Sequence, residues 1–397
     1  MKILVCLLSD QHVPNLLSVL NQKPNYLFLI ESAGMEKKNA SRNFQSALEN
    51  ERSNFTQFPK VITIPVGDEN NLIALANEFT KQMINNFPAA EWIVNLTGGT
   101  KLMSLAAYQA FQQAGNRQFI YIPVNNPNLL QMPMSGESSV IQENISMETF
   151  LLGYGFEFAK NKNAIAIAQK EALKRKALTC LIASKSAEKD FRIWGRAIGK
   201  PEFRNWLKQM DHAKKPKQLE SNYLMPSDGS VLNKVKETFD LGMYPDGSLR
   251  GLLDSFAVKY LDGGWLEEFV WNILNDNKKD LNIADVTLGA VIRPVGSGST
   301  NELDVSFIRN YGLNIVECKT GKQQDKMQDN QYKLSAIASS LKALRYSTYL
   351  VSNSPNLSVI KERSELVNTK QVNADAIAAL AKEPNNIELI KSTFGIK

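Results

Sequence analysis

Between residues 1 and 124, short apolar runs alternate with stretches in which apolar residues recur every three to four positions. The runs Lys2 to Ser9, Tyr26 to Glu31, Val61 to Val66, Trp92 to Thr97 and Gln118 to Val124 predict strands, and the intervals 12 to 21, 36 to 50, 70 to 86 and 101 to 115 predict helices. Ile3-Leu4-Val5-Cys6-Leu7-Leu8 is apolar on successive residues, so that strand is expected to be buried on both faces, as in a parallel sheet covered by helices. Short extended pieces follow near 129 to 134 and 139 to 144. From 151 to 210 the pattern turns helical and basic, and 212 to 217 reads as a loop. After 250 the expected order is a helix over 264 to 275, strands near 286 to 293, 303 to 309 and 314 to 319, a helix over 324 to 343 and a strand over 347 to 352. The expected domain limits are 1–150, a basic and mainly helical connector at 151–245, and a second α/β unit at 246–397.

Composition narrows the chemistry. With 397 residues, 43% hydrophobic and 22% charged, the chain has room for several cored domains. It holds no apolar run of membrane-spanning length, and its opening lacks the cleavage site of a signal peptide, so a cytoplasmic location is expected. The three cysteines, Cys6, Cys180 and Cys318, are scattered without metal-ligand spacing and read as buried apolar residues. Two histidines, His12 and His212, leave little scope for imidazole chemistry, which favours carboxylate and lysine. The net charge of +6 is uneven: residues 151 to 240 carry 18 Lys/Arg against 10 Asp/Glu, a balance of +8 that attracts polyanions or simply coats a solvated helical surface.

Glu317-Cys318-Lys319 lies on a predicted strand, where side chains two apart share a face. If a hairpin turns at Asn310 and Tyr311, Asp304 falls opposite Glu317 on that face. The opposite face is expected to collect Leu303, Val305, Phe307, Val316 and Cys318 as core, leaving one face for chemistry. On the helix over 264 to 275, Glu267 falls at the edge of the apolar arc and Glu268 on the side expected to face water. Carboxylates from Glu267, Asp304 and Glu317 suit Mg2+ or Mn2+, and Lys319 suits orientation of water or the scissile phosphate. In this order the residues resemble the PD-(D/E)XK nuclease superfamily, which has a helix glutamate, a strand aspartate and a (D/E)-x-K on the next strand. The words Gly264-Trp265-Leu266-Glu267 and Asn301-Glu302-Leu303-Asp304 belong to the same match.

At the other end, the first strand ends in Ser9-Asp10-Gln11, and the strand over 92 to 97 runs into Thr97-Gly98-Gly99-Thr100-Lys101 before a helix. Such strand ends in an open parallel sheet either bind anions or form tight connections. Neither a Walker A spacing nor a dinucleotide fingerprint is present. L-T-G-G-T-K closing a Rossmann-like strand resembles CARF domains of CRISPR-associated proteins. The whole chain is similar to CARF-nuclease fusions acting as ancillary effectors of type III CRISPR immunity. That resemblance implies a homodimer that binds a cyclic oligoadenylate, cyclic tetra-adenylate in the first instance, through Ser9, Gln11, Thr97, Gly98, Gly99, Thr100 and Lys101. It also implies metal-dependent cleavage of single-stranded DNA or RNA, or nicking of duplex DNA. The alternative is a ligand-responsive, nucleic-acid-binding regulator without nuclease activity. Arg204 and His212 do not meet the spacing of a HEPN ribonuclease.

Overall fold

A computed structural model describes residues 1–123, 128–132, 138–159, 162–188, 193, 201–211, 217–218, 228–245, 248–320, 346–353 and 369–396. The expected helix over 324 to 343 and most of the loop over 212 to 217 lie outside them.

The first unit runs β1 (Lys2–Leu7), α1 (Val13–Gln22), β2 (Tyr26–Ser32), α2 (Ala33–Glu36), α3 (Ala40–Asn50), β3 (Lys60–Val66), α4 (Leu72–Gln82), β4 (Glu91–Asn95), α5 (Lys101–Phe111), β5 (Asn116–Tyr121), β6 (Asn128–Met132), β7 (Ser138–Val140) and α6 (Met147–Gly153). Its sheet has the order β3-β2-β1-β4-β5-β6-β7, and the first five strands are parallel. Cores lie on both faces. Ile3, Val5 and Leu7 pack with α4 and α5, while Leu4, Cys6 and Leu8 pack with α1 and α3, as the unbroken apolar run requires. Because the chain leaves β1 in one direction and returns to its other side as β4, the switch point lies between the ends of β1 and β4.

The chain continues through β8 (Phe156–Phe158), α7 (Lys162–Lys185), α8 (Pro201–Asp211), β9 (Lys217–Gln218), α9 (Gly229–Phe239), β10 (Gly242–Met243), β11 (Leu249–Arg250), β12 (Leu252–Leu253), α10 (Ser255–Lys259) and α11 (Trp265–Asp276). Then come β13 (Ile283–Pro294), β14 (Asn301–Arg309), β15 (Gly312–Lys319), β16 (Tyr346–Ser352), β17 (Thr369–Val372), α12 (Ala374–Lys382) and α13 (Ile387–Phe394). The second sheet has the order β17-β16-β15-β14-β13-β8, so the stretch just after residue 150 supplies an edge strand to it. Helix α7 packs beside α11 through Ala172, Leu178 and Ile182.

Three expectations need correction. The face of the second sheet that carries Ile308, Leu313 and Ile315 is not left open for chemistry. It packs into one core with Met147 and Phe150 of α6 and residues of the first sheet. Leu303 belongs to that core rather than joining Val305, Phe307, Val316 and Cys318 beneath α11. Its partner Ala290 does the same while Leu288 and Val305 stay on the α11 side, and Gly289, with φ +62°, stands at the change of face. Glu268 does not face water either. It is buried against Arg175 of α7, because the side of α11 turned away from the sheet is covered by that helix.

Candidate active site

The hairpin that builds the carboxy-terminal site turns at Asn310 and Tyr311, both at positive φ (47° and 61°), as a two-residue turn matched to strand twist needs. Its register runs from Arg309 opposite Gly312 to Val305 opposite Val316. One step further, Asp304 comes opposite Glu317. The ladder stops at that step, although β15 stays paired with β16 as far as Lys319 opposite Ser352. The strands part here, and the Asp304 carboxylate enters the opening, its Oδ2 accepting the Cys318 backbone N–H at 2.8 Å. A strand bond is thus replaced by a side chain, which fixes the carboxylate to the backbone of the E-x-K segment.

Lys319 Nζ lies 2.6 Å from Glu317 Oε1 and 3.5 Å from Asp304 Oδ2. Burial alone would push this ammonium down, but Asp304 and Glu317 outweigh it and hold the group above its ordinary value, so it is charged. Glu317 and Asp304 are both buried. Cys318, between Glu317 and Lys319 in sequence, has its thiol pushed well up by burial and by the carboxylates, so it is no nucleophile.

Glu267 sits on the first turn of α11 and approaches from the helix side. Burial, with the Asp304 charge adding to it, pushes its carboxyl up to about 8. Gly263, just before α11, has φ +146°, and a Cβ there would meet Thr320 Oγ1 at 2.4 Å. Glycine is therefore what lets the start of α11 close onto the end of β15. Lys259 of α10, which the sequence reading overlooked, also faces this site. Its Nζ lies 3.4 Å from Glu302 Oε1, and Glu267, Glu302 and Asp304 together raise it against the effect of burial. Three expected site residues are thus in direct contact, and Glu267 joins them through charge. Among the described residues, no group of three or more His, Cys, Asp or Glu is gathered closely enough to hold a metal ion. Between Asp304 and Glu317 the Lys319 ammonium is the neutralising cation. The hard oxygen donors of those two carboxylates fit Mg2+ or Mn2+ chemically.

At the switch point of the first sheet, Gly98 and Gly99 press against the end of β1. A Cβ on Gly98 would fall 2.0 Å from the Leu7 carbonyl oxygen, and Gly99 has φ +72°. Beneath them Asn95 is fully buried: its Nδ2 donates to Asn15 Oδ1 (2.9 Å) and Ser18 Oγ (2.8 Å), and its Oδ1 accepts from Thr97 N (3.0 Å) and Thr97 Oγ1 (2.6 Å). Thr97 Oγ1 also accepts from Ile122 N at 2.8 Å, so this hydroxyl is tied into the fold. Thr100 caps α5, accepting from Met103 N at 3.2 Å, and Lys101 is exposed beside it. Ser9 closes a short turn onto Gln11 N (3.2 Å), and Gln11 Oε1 accepts from Tyr154 OH at 3.2 Å. The seven expected ligand contacts thus lie along the adjoining ends of β1 and β4. The Asn95, Asn15 and Ser18 network beneath them was not read from sequence, although Asn95 directly precedes L-T-G-G-T.

Fold and site together define a Rossmann-like CARF-type domain joined to a nuclease domain of PD-(D/E)XK type. Residues 3–150 match the Card1 CARF domain family, and residues 254–385 match the Card1-like endonuclease domain family. The chain is a CARF domain fused to a Card1-like endonuclease domain. In fold it is similar to Can2 from Sulfobacillus thermosulfidooxidans, solved with cyclic tetra-adenylate, at 19% identity and a TM-score of 0.65, over 97% of this chain and 100% of that one. It is similar to protein VC1899 from Vibrio cholerae at 19% identity and a TM-score of 0.75, over 100% of this chain and 98% of that one. A type III CRISPR defence DNA nuclease activated by cyclic oligoadenylate aligns at 16% identity and a TM-score of 0.51, over 88% of this chain and 45% of that one. No curated protein compared with the chain matches it. Among the described residues, no helix is long and apolar enough to cross a membrane.

Proposed function

We propose that this chain is a cyclic-oligoadenylate-activated, metal-dependent endonuclease of CRISPR antiviral defence. Its units are a messenger-binding domain at 1–150, a basic, mainly helical connector at 151–245 whose β8 and α7 pack into the second unit, and a nuclease domain at 246–397. The observation that carries the reading is the parting of β14 and β15 at Asp304 and Glu317, with the Lys319 ammonium held between their carboxylates. The reaction is attack of a water oxygen on phosphorus with loss of the sugar oxygen, which takes up a proton. Bound Mg2+ or Mn2+ would activate that water and offset phosphoryl charge. Asp304 and Glu317 are the residues that would hold the ion, with Glu267 beside them. Lys319 orients the scissile phosphate and stabilises its growing negative charge, a role suited to an ammonium that its neighbours keep protonated. The substrate is single-stranded DNA or RNA, or duplex DNA that is nicked.

The messenger is cyclic tetra-adenylate, a two-fold symmetric ring received by the paired CARF domains of a homodimer. Thr100 and Lys101 offer a hydroxyl and a cation at the start of α5, where backbone amides and the helix dipole favour phosphate. Ser9, Gln11, Thr97, Gly98 and Gly99 complete the rim.

The test is a panel of DNA and RNA strands incubated with and without cyclic oligoadenylates and with Mg2+, Mn2+ or chelator. Cleavage should need both messenger and metal, and Glu317→Ala or Lys319→Ala should lower it by at least about 100-fold. Full activity in either variant, or salt-sensitive binding with no strand scission under any condition, would overturn the reading.

A further inference from the structure

Phe256 is 75% exposed, the most exposed of the large hydrophobic side chains among the described residues. It sits on α10, a single turn whose start is fixed by Asp254 Oδ1 accepting from Ala257 N at 2.7 Å. Ala257 and Val258 are buried, so the helix is anchored by one face and presents Phe256 and Lys259, three residues apart, on the other. Leu252, 62% exposed, extends the apolar surface just upstream. A phenyl ring left in water forgoes about 2 kcal/mol of burial. Held on an anchored turn, the ring offers a flat apolar face to a ligand that can cover it.

Position and charge indicate what covers it. Lys259, its side chain 60% exposed, reaches Glu302, which lies two residues before Asp304 on β14. This places the cation beside carboxylates that by themselves repel a polyanion, with Phe256 three residues before it on the same side of the turn. A strand entering the site therefore meets an ammonium for its phosphate and, one helical turn back, an aromatic face. We propose that Phe256 and Lys259 form a nucleotide subsite next to the carboxylates, where an unpaired base stacks on the phenyl ring while Lys259 pairs with the backbone phosphate. The occupant is a single strand, because in a duplex the base faces are already stacked on each other. The inference rests on the nuclease reading for where the strand lies.

The test is anisotropy titration of the full-length chain, with cyclic tetra-adenylate and without divalent metal. The probes are a fluorescein-labelled oligothymidylate and an abasic strand of equal length. Stacking on an aromatic residue is worth about 1–3 kcal/mol per base, so Phe256→Ala should weaken oligothymidylate binding about 5- to 150-fold and leave abasic binding unchanged. Phe256→Trp should restore the affinity. Lys259→Ala should weaken both strands and reduce the slope of log affinity against log salt by about 0.7, the share of one phosphate contact. The subsite is overturned if Phe256→Ala leaves oligothymidylate affinity within about twofold, well below what stacking is worth. Equal weakening of both strands overturns it too. Cleavage by the unmutated chain is scored separately with metal added. A chain that cuts while Phe256→Ala binds unchanged keeps the nuclease reading and loses the subsite; one that binds as expected and never cuts does the reverse.

Discussion

Arg175→Ala is the most informative single change for the architecture of the nuclease unit. Arg175 donates to both oxygens of Glu268, from Nε to Oε2 at 3.2 Å and from Nη2 to Oε1, and its guanidinium carbon lies 4.8 Å from the centre of the Tyr260 ring. The two side chains are 12% and 9% exposed, so solvent screens the pair little. Burial pushes the Glu268 carboxyl up even with Arg175 opposing the shift. Truncating the arginine would leave that carboxylate buried without a cation, a loss of about 3–5 kcal/mol. At about 2–4 °C per kcal/mol, the melting temperature should fall by roughly 6–20 °C. A carboxyl whose pKa is raised in the folded state burdens the fold only once it ionises, so the deficit should be present near pH 7 and shrink near pH 4. Urea denaturation at the two pH values measures this. Adding Glu268→Gln to the Arg175→Ala chain should recover much of the loss by removing the stranded charge. A loss below about 1 kcal/mol near pH 7 would refute the reasoning, as would an equal loss at both pH values.

His12 is buried, its Nδ1 has no hydrogen-bond partner among the described residues, and burial, opposed by Asp10, pushes its pKa down to about 4. Its neutral form is therefore the folded one. Stability should fall by up to about 3 kcal/mol as pH drops from about 6.5 to about 4, and His12→Leu should flatten that acid limb in urea titrations; an unchanged slope would count against it. Tyr154→Phe removes the hydrogen bond to Gln11, worth about 0.5–1.5 kcal/mol. Basal cleavage should be unchanged, while stimulation by cyclic tetra-adenylate should drop about 2- to 13-fold in a titrated cleavage assay, and undiminished stimulation would remove Tyr154 from the path between the sites.

The amino-terminal fold was legible because its strands are apolar on successive residues, a pattern that only burial on both faces explains. The carboxylate hairpin was legible for a different reason: Asn310 and Tyr311 set a two-residue turn, and the turn alone sets the register of Asp304 against Glu317. What escaped lies at contacts between segments far apart in sequence. Glu268 falls away from the sheet on a helical wheel, and so it does in the structure, but the cover supplied by Arg175 comes from more than ninety residues upstream. Lys259 lay outside the E-x-K pattern and declares itself only when α10 is brought beside β14.

The misread face of the second sheet has a mechanical consequence. Because Ile308, Leu313 and Ile315 share a core with Met147 and Phe150, the strands carrying Asp304 and Glu317 cannot shift without moving α6. That helix is tied at one end to β13, where Met147 N donates to Asp285 Oδ2 at 2.7 Å. Past its other end, Tyr154 meets Gln11 and lies edge-on to the His12 ring at 5.6 Å. Two residues later β8 begins and pairs with β13 as part of the nuclease sheet. Tyr311, at the tip of the β14–β15 hairpin, donates to the Ile141 carbonyl oxygen at 3.1 Å. A ligand that displaces Gln11 therefore acts on a segment already hydrogen-bonded into the sheet that holds the carboxylates. Close-packed interfaces of this kind pass on small displacements as rigid bodies rather than absorbing them. Coupling through this packing would need no flexible relay, only a change in where α6 rests.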